Sequence, residues 1–163
     1  MKPVMLATDG SPTAEKATTT AIELARALGT DLVVVTVWHI AFAGYGAMGF
    51  APVPDYGDLT ELGEEQARRI ARAAAARAEE AGVGTRTVVL HGLTVDEICL
   101  AAEKFTPQFL VVGSHGWGVV RRALFGSVST GVLHRAPCPV LVVPRDRSEA
   151  TRNGHESRTQ VPA

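Results

Sequence analysis

Residues 32–38 read Leu32-Val33-Val34-Val35-Thr36-Val37-Trp38. The run is continuously β-branched and apolar instead of alternating. A strand with one wet face would alternate, so this pattern predicts a strand covered on both faces, as in a parallel sheet. Upstream, Val4–Thr8 is a second short apolar run that stops at Asp9-Gly10-Ser11-Pro12, a strand followed by a turn. Ser11 is placed to cap a helix that Pro12 can start, with Ala17, Ala21, Leu24, Ala25 and Leu28 on one face and Gly29 as its stop. Downstream, residues 39–57 hold Gly44, Gly46, Gly49, Pro52, Pro54 and Gly57 among aromatics and read as a long loop. A helix is expected from Thr60 to Ala81 and a third strand over Thr85–Leu90. A helix follows over Val95–Lys104, with Thr94 as N-cap and Glu97 three positions on, a capping-box pattern. Phe109–Val112 is a fourth strand, a helix runs from Gly126-Ser127 to about Arg135, and Val140–Val143 is a fifth strand framed by prolines.

Five strands alternating with four helices predict an α/β fold: an open parallel sheet, helices on both faces, right-handed crossovers. Ligands of such sheets bind at the carboxyl ends of the strands, where the strand order reverses. The loops after the first and fourth strands, from Asp9 and from Gly113, therefore carry the functional expectation.

Composition bounds the rest. The 163 residues fit one domain, with 46% hydrophobic and 20% charged residues, so global disorder is not expected. Sixteen basic against seventeen acidic residues argue against a dedicated nucleic-acid binder. No apolar run reaches membrane-spanning length, and the first residues lack a signal-peptide pattern. Cys99 and Cys138 form neither C-x-x-C nor a ligand cluster and read as small packing residues; a reducing cytoplasm is the simplest compartment. The segment 145–163 loses all periodicity and reads as a polar, disordered tail, leaving residues 1–144 as the folded domain.

Two glycine patterns compete for attention. Gly44-Tyr45-Gly46-Ala47-Met48-Gly49 matches G-x-G-x-x-G, but Pro52 and Pro54 follow where a helix should open, so a dinucleotide fingerprint is rejected. Gly113-Ser114-His115-Gly116, nine further residues and then Gly126-Ser127 form the stronger pattern. Gly113 and Gly116 let backbone approach a ligand, and Gly126 and Ser127 open a helix whose free N–H groups attract anions. Ser127 and Ser129 hydroxyls can donate to phosphate oxygens, and Asp9, at a strand's carboxyl end, can accept from ribose hydroxyls or an amino group. His115 reads as a phosphate contact ahead of a general base, and Arg121 and Arg122 lie in the loop between the glycine pairs.

These residues resemble the universal stress protein family. The start, Val4-Met5-Leu6-Ala7-Thr8-Asp9-Gly10-Ser11, is similar to that family's first strand and Asp-Gly-Ser turn. The segment Gly113 to Ser127 fits the family's G-x2-G-x9-G-[ST] pattern at every fixed position, and His134 to Val143 resembles its last helix turn and strand. The resemblance implies a Rossmann-like five-stranded sheet of order 3-2-1-4-5 and an adenine nucleotide bound across strands 1 and 4. It places Ala7, Thr8 and Asp9 at the adenosine end and Val37 as a source of backbone bonds to adenine. Val112, Gly113, His115 and Gly116 would wrap ribose and phosphates, and Gly126, Ser127, Val128 and Ser129 would hold the phosphates. The expected cofactor is ATP, with Mg²⁺ carried on its phosphates. The expected role is a cytoplasmic, nucleotide-dependent sensor or switch in the stress response, with a slow ATPase or a dimeric interaction protein as alternatives. No catalytic residue is assigned. In that strand order the fifth strand is an uncharged apolar edge, which predicts a homodimer through it; family members resembling this chain also dimerise. No nucleic-acid or membrane partner is expected.

Overall fold

The computed structural model describes residues 1–39, 56–115 and 126–144. The segment around Gly44, most of the spacer with Gly116, Arg121 and Arg122, and the tail 145–163 lie outside the described residues. Five strands and four helices alternate: β1 Val4–Ala7, α1 Pro12–Leu28, β2 Leu32–Trp38, α2 Tyr56–Glu80, β3 Thr85–His91, α3 Thr94–Phe105, β4 Phe109–Gly113, α4 Ser127–Arg135 and β5 Val140–Val143. All neighbouring strands pair in parallel, in the order β3-β2-β1-β4-β5. The fold and strand order are those expected.

The pattern of β2 explains the layering. Leu32 and Val34 pack on one side with Ala17, Ala21 and Ala25 of α1 and Ala71, Ala74 and Ala78 of α2. Val33 and Val35 pack on the other side with Ile98, Ala101 and Ala102 of α3 and Val132 of α4. Both faces are apolar, so alternation in the sequence vanishes. The alanines let α1 and α2 sit close to the sheet. Val4, Met5 and Leu6 of β1 are inaccessible to solvent.

The turn after β1 is built as its residues dictate. Ser11 caps α1, its Oγ accepting the Ala14 N–H at 3.3 Å, with Pro12 in the first turn. Gly10 takes φ +70°, a left-handed conformation that an L side chain adopts at a cost, and a Cβ there would stand 3.1 Å from Ile70 of α2.

Several boundaries differ from the sequence reading. Helix α2 begins at Tyr56, not at Thr60, so the end of the expected loop 39–57 is helical. A glycine such as Gly57 disfavours a helix by only about 1 kcal/mol, which a 25-residue helix absorbs. The strand β3 continues to His91, held beside Trp38. Finally, Thr94 is not the N-cap of α3. Leu93 is, and no side chain caps the helix. The Leu93 carbonyl accepts the Glu97 N–H at 3.0 Å, which starts the helical ladder one residue before the capping-box register.

Candidate functional site

At the carboxyl ends of β1, β2 and β4 lies a cleft of about 360 Å³, within the range of small-molecule sites. Its floor is the α3/α4 face of the sheet, made by Ala7, Val35, Val37 and Val112. The turn after β1 contributes Thr8 and Asp9, and α1 contributes Ala14. Gly113 and His115 follow β4, and the first residues of α4, Gly126, Ser127, Val128 and Ser129, close that side. Eleven of the twelve residues singled out in the sequence thus line one cleft, and the remaining one, Gly116, lies outside the described residues.

The turn at β1 is fixed by Asp9 itself. One carboxylate oxygen accepts the Ser11 N–H at 3.0 Å, and Thr8 Oγ1 accepts the Gly10 N–H at 3.3 Å. Asp9 therefore shapes its own turn as well as facing the cleft.

The ladder leaves Val37 open. The Val35 carbonyl accepts from Thr8 N, so Val35 points its main-chain groups at β1; the Trp38 carbonyl accepts from Gly92 N, on the β3 side. Main-chain direction alternates along a strand, so Val37 points toward β1 as Val35 does. The pairing with β1 ends at Val35 and Ala7. Among the described residues no main-chain group beyond it bonds Val37. A donor and an acceptor thus stand side by side at the point where the strand order reverses.

The opposite side is a tight clasp between the β4 loop and α4. The Ser114 carbonyl accepts from Gly126 N at 2.6 Å and from Ser129 Oγ at 3.0 Å. Ser129 Oγ also lies 3.0 Å from the Gly126 carbonyl. Ser129 is 2% exposed, and its single hydroxyl proton is directed at these carbonyls. Ser129 lines the cleft but holds the loop; among the α4 hydroxyls there, exposed Ser127 is the one turned outward. A Cβ on Gly126 would sit 3.3 Å from the Ser114 carbonyl oxygen and 3.4 Å from His115 Cα, so a side chain here requires the β4 loop to give by a few tenths of an ångström. Gly126 is the N-cap of α4 and offers no side-chain cap, leaving the first N–H groups of the helix facing outward with the positive end of its dipole. His115 Nδ1 lies 3.1 Å from the buried Ser114 hydroxyl, which sets the ring's orientation.

The cleft also holds residues that sequence reading missed: Ala14, Val35, His39, Thr94 and Ile98. Val35 was legible as the residue two before Val37 on the same face. His39 and Thr94 sit on the rim only because β2 and α3 end and begin there. Among the described residues no group of His, Cys, Asp and Glu could hold a metal ion, and no helix is long and apolar enough to cross a membrane. Cys99 and Cys138 are free, and burial pushes both thiols up from their ordinary value; their role is packing.

The family model for the universal stress protein family matches residues 1–144. A universal stress protein of Thermus aquaticus is 35% identical over 87% of this chain and 98% of its own length. One from Methanocaldococcus jannaschii is 32% identical over 91% of this chain and 85% of its own. Among solved structures, a universal stress protein in complex with cAMP superposes with a TM-score of 0.65 at 26% identity, covering 88% of this chain and 96% of that one. The match runs through both cleft loops and all five strands, and the chain belongs to the universal stress protein family.

Proposed function

We propose that the chain binds an adenine nucleotide, ATP in the first place, and works as a nucleotide-dependent sensor or switch in the stress response. The observation that carries this is the cleft's polarity. It has an open donor–acceptor pair at Val37 on one side and the uncapped N-terminus of α4 at Gly126 and Ser127 on the other. Adenine needs both a donor and an acceptor along its amino edge, and phosphates suit a helix N-terminus. Asp9, between the two, is placed for ribose hydroxyls. The related structure with cAMP bound supports the same ligand class. Mg²⁺ would be carried by the phosphate oxygens, since the described residues offer no carboxylate cluster for it.

Among the described residues, the titratable groups lining the cleft are Asp9, His39 and His115. Asp9 is engaged in its turn and His115 faces Ser114, so neither is arranged as an evident base for attacking water. Phosphate held by main-chain amides is stabilised in the ground state, which does not by itself speed hydrolysis. Binding and release, in place of turnover, is the role this favours.

A homodimer through β5 completes the reading. Of the two sheet edges, β3 carries Arg86, whereas β5 is Val-Leu-Val-Val with Leu141 exposed. An uncharged edge is a template for pairing, and a two-fold copy would satisfy it. Mass spectrometry of small molecules released from the purified protein tests the nucleotide assignment. An adenine nucleotide in the released fraction is expected. Protein that purifies empty and takes up no added ATP, ADP, AMP or cAMP would overturn it.

A further inference from the structure

Building on the adenine-nucleotide reading, the cleft also carries a side-chain contact for the base. Its polar groups sort by strand. Gly113, His115 and the start of α4 lie on the β4 side, Thr8 and Asp9 at the middle on β1. Adjacent strands are about 4.8 Å apart, so β4 and β2 are separated by roughly 9.5 Å. A nucleotide with its phosphates at α4 therefore lays its base over β2, against the first turns of α3. There the lining is Val35, Val37 and Ile98, and the side chains able to hydrogen-bond are His39 and Thr94.

Thr94 stands in the first turn of α3 with Ile98 one turn along, so a hydroxyl and an apolar side chain share the face toward the cleft. The hydroxyl is not needed to start the helix, because Leu93 occupies the N-cap and no side-chain cap bond forms. The main chain at Val37 serves one edge of a base, and Thr94, at the start of α3, lines the same end of the cleft. We infer that Thr94 is a further base-binding residue that hydrogen-bonds the purine at a position Val37 does not reach, with Ile98 packed on the ring.

Calorimetry with ATP, adenosine and GTP on wild type, Thr94→Val and Thr94→Ser tests this. One neutral hydrogen bond contributes about 0.5–1.5 kcal/mol, or roughly 2- to 13-fold in affinity. Thr94→Val should weaken ATP and adenosine by the same factor in that range and leave the ratio of ATP to GTP affinity unchanged, because the ring nitrogens that Val37 does not reach are common to both bases. Thr94→Ser, which keeps the hydroxyl, should restore both affinities. Thermal melts of the two variants should match wild type, because no cap bond is lost. Unchanged ATP affinity in Thr94→Val would overturn the assignment, as would a loss confined to ATP with adenosine unaffected. A wild-type protein that binds neither ATP nor adenosine would sink the adenine-nucleotide reading itself, and this assignment with it.

Discussion

Ser127 and Ser129 sit two residues apart, yet their surroundings give them different work. The Ser129 hydroxyl is buried and donates toward the Ser114 and Gly126 carbonyls, tying the β4 loop to α4, whereas Ser127 is exposed at the helix start. Removing the Ser129 hydroxyl loses its hydrogen bond while the two carbonyls keep the Gly126 and Thr130 N–H donors, a loss of about 0.5–1.5 kcal/mol. Thermal melts should therefore fall by about 2–4 °C per kcal/mol in Ser129→Ala and stay level in Ser127→Ala. ATP affinity should drop partly in Ser127→Ala, which keeps the N–H but loses the hydroxyl. Equal melts for the two variants would show that the clasp contributes nothing. Thr36 presents the reverse case. It is 2% exposed on β2, and its Oγ1 has no hydrogen-bond partner among the described residues. Thr36→Val keeps the shape and removes the unmet hydroxyl, so stability should rise by about 1 kcal/mol or more, read as a higher Tm. A lower Tm would mean that the hydroxyl is satisfied in solution.

Elements were legible in the sequence wherever burial alone set the pattern. Leu32–Trp38 is apolar on both faces because α1 and α2 cover one and α3 and α4 the other, and that pattern is enough to imply a parallel sheet. Ser11, Pro12 and Gly29 bound α1 because capping is local chemistry. The misread starts lie where local signals compete with the ladder. Thr94 and Glu97 have the right spacing for a capping box, but Gly92 lets the chain turn so that Leu93 opens the helix. The cleft was legible at its glycines and at Asp9, where backbone must approach a ligand. It was illegible at His39, Thr94 and Ile98, which reach the rim through tertiary placement of β2 and α3. The edge β5 also belongs to this scale. Val142→Pro would remove a ladder donor from an apolar edge. Light scattering should find wild type dimeric at micromolar concentration and Val142→Pro monomeric or aggregated. A monomeric wild type would rule out pairing through β5.

At the scale of the molecule, one sheet places an open strand end and a helix N-terminus on the same rim, on either side of β1. A ligand spanning them touches three strands and two helices at once, which suits a protein that reports occupancy by its stability and assembly. The same arrangement sets low expectations for turnover. With Mg²⁺ and ATP the steady-state rate should stay well below ~1 s⁻¹, under the usual enzyme range; a rate within that range, abolished in Ser127→Ala, would favour an ATPase. The central claim is that α4 holds phosphate at its glycine start. Titration calorimetry of ATP and adenosine into wild type and Gly126→Asp tests it most directly. The substitution adds a Cβ 3.3 Å from the Ser114 carbonyl oxygen, and with it a carboxylate next to the phosphates. ATP binding should be lost in the folded variant while adenosine binding changes far less; ATP affinity equal to that of wild type would show that Gly126 only makes a turn.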